Sequence, residues 1–422
     1  MTDLSIAENL NQDCEWVTSS QQALELITDT PLNESTWVNM LAKHPVFVDK
    51  HHIDTMTAVI ETITSLSKSL PYQSLVKPNI PAIAAHHPES QGVLFGYDFH
   101  LTEQGPKLIE VNTNAGAIYF NHYLNQSQQA CCDSITSLMR DPIDSVNPSD
   151  KALEAHLLEM FRQEFALQYP GRTLTSIAIV DERPHEQFLY PEFCLFKNLF
   201  ERAGIRTVIV DPSELSYDGE RLYVETLPID LIYNRHTDFY LEQPALSAIK
   251  TAYLKNQITL TPHPHAYGFA ADKRLLSYWS DPDFLATLNL DQDTKDLLLN
   301  TIPKTVIVTP ENANDLWRRR KQLFFKPMTG FGSRASYHGA KLTQKTWAKI
   351  LSTHHYIAQE FVPPTTRLFG HDGELKTYKM DLRNYTYAGK TLLLSARLYR
   401  GQTTNMKTPG GGFATVYKVG GD

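Results

Sequence analysis

The chain has 422 residues, of which 42% are hydrophobic and 20% charged, and its 39 Lys and Arg stand against 47 Asp and Glu for a formal charge of −8. That composition excludes a disordered or collagen-like chain and gives no sign of a polyanion partner, while leaving room for a local basic groove. At roughly 150 residues per domain the length predicts about three units or two large ones. No run reaches the ~18 apolar residues of a membrane span, and MTDLSIAENLNQD lacks the basic and then apolar start of a signal peptide, so a cytoplasmic protein is expected. The four cysteines, Cys14, Cys131, Cys132 and Cys194, show no CxxC spacing and read as reduced and unliganded.

The first stretch reads as helical. NESTWVNMLAKH carries Trp37 and Leu41 at helical spacing, and HHIDTMTAVIETITSLSKSL puts Ile53, Met56, Ile60 and Ile63 on one face. A Pro-rich stretch then leads to GVLFGYDFHLTEQGPKLIEVNTNAG, two β-rich runs around a polar Gly turn, which is a hairpin pattern. RDPIDSVNPSDK reads as a linker. Beyond it, strand and helix patterns alternate: TSIAIVD as strand, PEFCLFKNLFERAG as helix, then RTVIVD and PIDLIYNR as strands, an α/β layer with parallel strands. From about residue 300 the pattern becomes α+β, with strands at IPKTVIVT, LFFKP, YIAQEFV, RNYTYAG and KTLLLSARLY and helices at ENANDLWRRRKQL and LTQKTWAKILSTH.

Three constellations could carry chemistry. If the hairpin turns near Gln104, residues whose numbers sum to about 208 face each other, which sets Asp98 opposite Glu110. Alternation then puts Glu110 and Asn112 on one face and turns Ile109 and Val111 inward. Facing carboxylates repel unless a cation or a basic side chain lies between them, and a hard divalent ion or a merely solvated polar face both fit. FFKPMTGFGSRAS is not a P-loop, yet its strand-end Lys326 and glycines 330 and 332 could approach phosphate oxygens, as could an ordinary hairpin loop with a surface Lys. In DLRNYTYAGKTLLLSARLYRGQTTNMKTPGGGFATV, Asp381 and Arg383 share a strand face, Arg397 follows on the next strand, and a polar loop with Asn405 runs into Gly410 to Gly412. Arginines beside such a loop suit an oxyanion such as an acyl phosphate. The WRRRK run reads as a solvated helix face, and the histidine pairs at 51–52, 86–87 and 354–355 fit no metal-ligand spacing.

Together these segments resemble the ATP-grasp superfamily of carboxylate-amine ligases. DFHLTEQGPKLIEVNTNAG resembles its metal-binding end, which implies Mg²⁺ on Asp98, Glu110 and Asn112, with Gly116 in a glycine-containing turn. FFKPMTGFGS resembles the nucleotide Lys and phosphate-covering loop, implying Lys326 and Gly332 on ATP. AQEFV resembles the adenine hinge, Gln359 and Glu360, and ADKRLLSYW a second ATP-binding segment through Lys273. DLRNY, SAR and TNMKTPGGG resemble the set that holds the acyl phosphate in glutathione-synthetase-like members, implying Arg383, Arg397 and Asn405. The order is permuted, because the Asp and ExN segment comes first; it is similar in this to the glutathionylspermidine synthetase group. One position departs: many members carry an Arg two residues before the metal Asp, where this chain has Gly96.

The resemblance implies a mixed α/β and α+β chain with a circularly permuted ATP-grasp fold. Its expected parts are N-terminal helices and the metal hairpin at 1–140, an α/β pre-ATP-grasp domain at 150–300, and the nucleotide-binding region at 301–422. The implied activity joins a small-molecule carboxylate to an amine through an acyl phosphate, using ATP and Mg²⁺ and releasing ADP and phosphate. Amino acids, peptides and polyamines are the substrate classes, with no nucleic acid or membrane partner. Arg235, His236 and Asp238 in YNRHTDF are expected near the substrate pocket. A phosphotransferase on the same fold and a non-catalytic nucleotide binder are the alternatives.

Overall fold

The computed structural model describes residues 5–13, 17–18, 40–42, 44–129, 150–330, 332, 335–371, 374–401, 408 and 410–420. Along the chain, strand β1 (Val46–Asp49) leads into helix α1 (Lys50–Lys68), followed by the hairpin β2 (Phe95–Thr102) and β3 (Gly105–Asn112). Helix α2 (Ile118–Ser127) and helix α3 (Asp150–Gln168) come next. The expected helix over 33–44 and the linker lie largely outside the described residues, together with Cys14, Cys131 and Cys132. Leu41, which is described, makes a parallel bridge to Phe413.

The next layer is a four-stranded parallel sheet, built from β4 (Ser176–Val180), β5 (Arg206–Val210), β6 (Leu231–Asn234) and β7 (Thr259–Thr261) in the order β7-β6-β4-β5. Helix α4 (Tyr190–Arg202) crosses between β4 and β5. Its central strands are buried at every position, as strands covered on both faces must be. Ile177 and Ile179 face Phe161, Phe196 and Phe200 of α3 and α4, and Ala178 and Val180 face Ile249 and Tyr253.

After helix α5 (Pro264–Ala270), an antiparallel sheet is formed by β8 (Thr305–Ile307), β9 (Leu323–Pro327), β10 (Tyr337–His338) and β11 (Tyr356–Glu360) in the order β8-β11-β9-β10. Helix α6 (Gln344–Thr353) sets Trp347 and Ile350 against Leu323 and Phe325. The period of two therefore turns Phe324 and Lys326 to the opposite face.

The last strands, β12 (Thr365–His371), β13 (Glu374–Tyr387), β14 (Lys390–Tyr399) and β15 (Gly412–Val419), close on the first ones. Among the described residues they form one sheet in the order β1-β15-β14-β13-β2-β3, with β12 also on β13. Helix α1 covers it, burying Ile53, Met56, Ile60 and Ile63 as the spacing expects, and Val59 and Leu66 as well. At about 1.5–3 kcal/mol per buried side chain, this face outweighs any intrinsic helix propensity. The chain is thus a mixed α/β structure. None of its described helices is long and apolar enough to cross a membrane.

One carboxylate ties the sheets together. Glu164 of α3 is wholly buried and accepts from the backbone N–H groups of Gln91 and Gly92 at 2.9 Å each, from Thr261 Oγ1 at 2.7 Å and from Tyr387 Oη at 3.0 Å. Those donors belong to the entry to β2, the end of the parallel sheet and the end of β13. Glu164→Ala leaves them unsatisfied and should cost about 3 kcal/mol or more in urea unfolding; a loss under ~1 kcal/mol contradicts this role.

Two histidines give the fold an acid limit. His263 caps α5 by accepting from Ala266 N through Nδ1, and its Nε2 donates to Ser90 O. Burial first, and neighbouring histidines next, push His263 down to about 3. Burial likewise holds His265, which bonds Ala84 O, at about 4. A depressed histidine stabilises above its unfolded pKa of ~6.5, and the contribution is lost as pH falls from there toward the folded value. Between pH 8 and pH 5 the loss is ~2 kcal/mol per residue. A His265→Gln variant should therefore lose ~2 kcal/mol less than the parent over that interval in urea unfolding, and identical pH profiles would refute the assignment.

Candidate functional site

The hairpin register puts Asp98 opposite Glu110 and Gly96 opposite Asn112, as expected. Past that point the ladder shifts, pairing Phe99 with Leu108, so Ile109 is the extra residue of a bulge. This corrects the simple alternation. Leu108 and Val111 are in the core, whereas Ile109 comes round to the cavity beside Glu110, and its carbonyl accepts from Lys326 Nζ at 2.9 Å.

Three neighbouring strands bring four charges together. Arg383 on β13 pairs across the ladder with Asp98 on β2, and Arg397 on β14 with Asp381 on β13. Arg383 Nε and Nη2 both donate to the Asp98 carboxylate at 2.6 Å, and Arg397 Nη2 reaches it at 2.9 Å. Arg397 Nε holds Asp381 at 2.5 Å. Burial alone would raise the Asp98 pKa, but Arg383 and Arg397 together hold it well below the usual carboxylate range. The arginines are thus pinned by carboxylates, yet each keeps Nη1 without an acceptor among the described residues. Gly96 has no room for a side chain: a Cβ there would lie 2.7 Å from Ala115 Cβ and 3.4 Å from Arg383 Nε. Arg383 fills the space beside it.

Opposite this cluster, Lys273 Nζ lies 3.6 Å from Glu110 and donates to Gly330 O at 2.9 Å. Lys326 and Gln359 face the cavity from adjacent strands, and Lys326 Nζ donates to Gln359 Oε1 at 2.8 Å. Burial brings Lys326 down to about 8 against the pull of Glu110. Burial would raise Glu110, but the Lys273, Lys326 and Arg383 charges together lower that pKa. The repulsion expected between Asp98 and Glu110 is therefore answered by basic side chains on each. The Gln359 Nε2 group is buried without a partner.

Of the residues expected on ATP, Mg²⁺ or the acyl phosphate, all but Asn405, which lies outside the described residues, line one cavity of ≈ 570 Å³; these include Gly332 and Glu360. Gly411 and Gly412 have another use: a Cβ would lie 2.3 Å from Leu398 O and 2.1 Å from Met40 O, so these glycines permit close backbone packing. Of the YNRHTDF residues, Arg235 lines the cavity, while His236 and Asp238 build the turn. His236 Nδ1 accepts from Asp238 N, and Asp238 accepts from Tyr240, Glu242 and Gln243 N–H groups. Asp181, Phe188, Leu189 and Phe193 also line it and were not among the expected residues. The one signal for Asp181 was its place at the end of the TSIAIVD strand.

The donor set suits a hard cation. Asn112 Nδ2 lies 3.4 Å from Asp98 Oδ2 and 3.5 Å from Glu110 Oε1. Turning the amide over would set its oxygen beside Glu110 Oε1, whereas Asp98 Oδ2 already accepts from Arg383 Nη2 and Arg397 Nη2, so Glu110 and Asn112 are the freer donors. Among the described residues no group of three or more His, Cys, Asp and Glu side chains is arranged for a metal.

No protein-family model and no curated protein matches the chain. Among solved structures, it is similar to a glutathione synthetase-like effector from Globodera pallida in its apo form, with a TM-score of 0.56 and 12% identity over 99% of this chain and 100% of that one. A candidate gamma-glutamylcysteine synthetase from Methylobacillus flagellatus KT gives a TM-score of 0.48 and 11% identity over 85% and 88%. A D-cycloserine synthetase gives 0.32 and 13% over 57% and 90%. At these levels only the first speaks, and only to a shared fold.

Removing Asp98 leaves two buried guanidinium groups facing one carboxylate. Asp98→Asn should cost about 3–5 kcal/mol in urea unfolding. Glu110→Gln, whose Lys273 partner keeps Gly330 O, should cost ~1 kcal/mol or less and bring no gain. A stabilised Glu110→Gln protein would mean that carboxylate repulsion dominates after all.

Proposed function

We propose that the chain is an ATP-dependent carboxylate-amine ligase with a circularly permuted ATP-grasp fold, and that it acts on small-molecule substrates. The γ-phosphoryl group of ATP passes to a substrate carboxylate. An amine then attacks the acyl carbon and expels phosphate, leaving an amide, ADP and a proton. The observation that carries this reading is the convergence of Lys326, Lys273, Glu110, Asn112 and the Asp98 cluster on one cavity, from segments as far apart in sequence as Asp98 and Arg397, 299 positions. The permuted order is supported by the pairing of β2, near residue 98, with β13, near residue 383. A fold shared over the full length with a glutathione synthetase-like effector is in keeping with it.

In this reading Lys326 and Lys273 set positive charge against the phosphates, and the unpartnered Gln359 Nε2 donates to the nucleotide. Gly332 admits close backbone approach, and Glu360 lines the same end. The Nη1 groups of Arg383 and Arg397, held in place by Asp98 and Asp381, meet the acyl phosphate oxygens with little reorganisation, which is where electrostatic catalysis is most effective. Asp98, Glu110 and Asn112 would hold Mg²⁺, whose chemistry when bound is to neutralise charge on the transferring phosphoryl group. No side-chain nucleophile is needed.

Lys326→Met tests the nucleotide role. A hydrogen bond to a charged group is worth about 1.5–3 kcal/mol, so Mg-ATP affinity in calorimetry should fall roughly 10- to 100-fold with the melting temperature nearly unchanged. Unchanged affinity would remove Lys326 from the phosphates. In a screen of ADP release against amino acids, peptides and polyamines, turnover should require a carboxylate and an amine together. A stable phosphorylated product without an amine would make the protein a phosphotransferase instead.

A further inference from the structure

The far end of the cavity holds two charges that the ligase chemistry does not use. Asp181 directly follows β4 and Arg235 directly follows β6, neighbouring parallel strands on which Val180 pairs with Asn234 and Arg235 N donates to Val180 O at 2.8 Å. The crevice outside the carboxyl ends of parallel strands is where such sheets receive ligands. Arg235 is only 5% exposed. Its Nη1 donates to Tyr233 Oη at 3.2 Å, its Nε is buried without a partner, and Nη2 has no acceptor among the described residues. Glu192, the carboxylate nearest in effect, is occupied in capping α2, accepting from Ala117 N at 2.8 Å and Tyr119 N at 3.0 Å.

Asp181 is 8% exposed, and among the described residues its carboxylate takes a single hydrogen bond, from Glu182 N at 2.8 Å. Both side chains line the same cavity, yet they form no ion pair with each other. The Glu192 and Asp181 charges offset the burial of Arg235, yet neither carboxylate hydrogen-bonds it, so its Nε and Nη2 donors face an anion's place beside a little-used carboxylate. Burial lifts Asp181 to about 6, with Glu182 and Asp211 adding to it and Arg235 opposing.

Gly116 keeps the guanidinium open. A Cβ there would lie 2.9 Å from Arg235 Nη2 and 2.3 Å from Leu189 Cδ1, filling the gap between them. Phe188, Leu189 and Phe193 add an apolar wall. The extended chain from Glu110 to Gly116 spans at most ~20 Å, so the two ends of the cavity are within reach of one small molecule.

We propose that Arg235 and Asp181 form a subsite for the α-amino acid head of a substrate, its carboxylate on the Arg235 guanidinium and its ammonium on Asp181. The methylene stem lies along Phe188, Leu189 and Phe193. That the head belongs to a substrate rests on the ligase reading, whereas the binding site itself does not.

The test is calorimetry of the twenty L-amino acids, with and without Mg²⁺ and a non-hydrolysable ATP analogue. At least one should bind the native protein, and its N-acetyl and α-amide derivatives should bind tenfold or more weakly. Arg235→Met and Asp181→Asn should each weaken that binding at least tenfold while analogue affinity stays within twofold. Gly116→Ala, which keeps both charges and closes the gap, should do the same, so the outcome does not hang on one variant's folding. Absence of amino acid binding in both conditions overturns the proposal, as does equal binding of the blocked derivatives. Amino acid binding without nucleotide binding would sink the ligase reading and leave the subsite standing. ADP release that tolerates blocked heads would do the reverse.

Discussion

Asp98 sits between two guanidinium groups on neighbouring strands, and the geometry of the site depends on that contact. The hairpin carrying Asp98, Glu110 and Asn112 arrives early in the chain, whereas Arg383 and Arg397 arrive near its end. Backbone pairing of β2 with β13 brings them into register, and the ion cluster fixes the side chains once they are there. Two arginines and two aspartates balance in charge, which is what lets the aspartates be buried and the arginines be partly so. Held on one side, each arginine offers its remaining nitrogen to the cavity. In the proposed reaction an oxyanion would meet donors that are already oriented.

The same desolvation sets the character of the rest of the cavity. Lys326 is brought down to about 8 and Asp181 lifted to about 6, while Asp98 is driven the other way because its partners are close and geometrically good. Burial penalises charge everywhere; what differs between these groups is whether a partner answers it. Lys326 has a carbonyl and an amide oxygen, Glu110 has Lys273, and Arg235 has a phenol and two aromatic faces. The gradient runs from Asp98, which two guanidinium groups bond directly, to Arg235, whose Nε is buried without a partner.

Glu164 has the corresponding role between the layers. By accepting from the entry to β2, the end of β7 and the end of β13, it holds the parallel sheet and the large sheet in the relation that encloses the cavity. Neither sheet alone would bring Arg235 and Asp98 to a common space.

Local pattern alone was enough for much of this molecule. The period of 3.6 marked α1 and its buried face, the period of two marked the strands, and the turn chemistry around Gln104 and Gly105 set Asp98 against Glu110, because each of these depends on residues close in sequence. The likeness of several short motifs to one superfamily located Lys326, Lys273 and Gln359. Other features could be decided only by the folded chain. The bulge at Ile109 arises from register against β2 rather than from composition, the salt bridges on Asp98 need strands separated by hundreds of residues, and Gly412 is required by the carbonyl of Met40. Arg235 and His236 are adjacent and equally polar in sequence, yet one lines the cavity and the other ties a turn. Sequence periodicity tells which residues share a face, but which charges meet, and which are left unmet, depends on long-range packing that no local pattern contains.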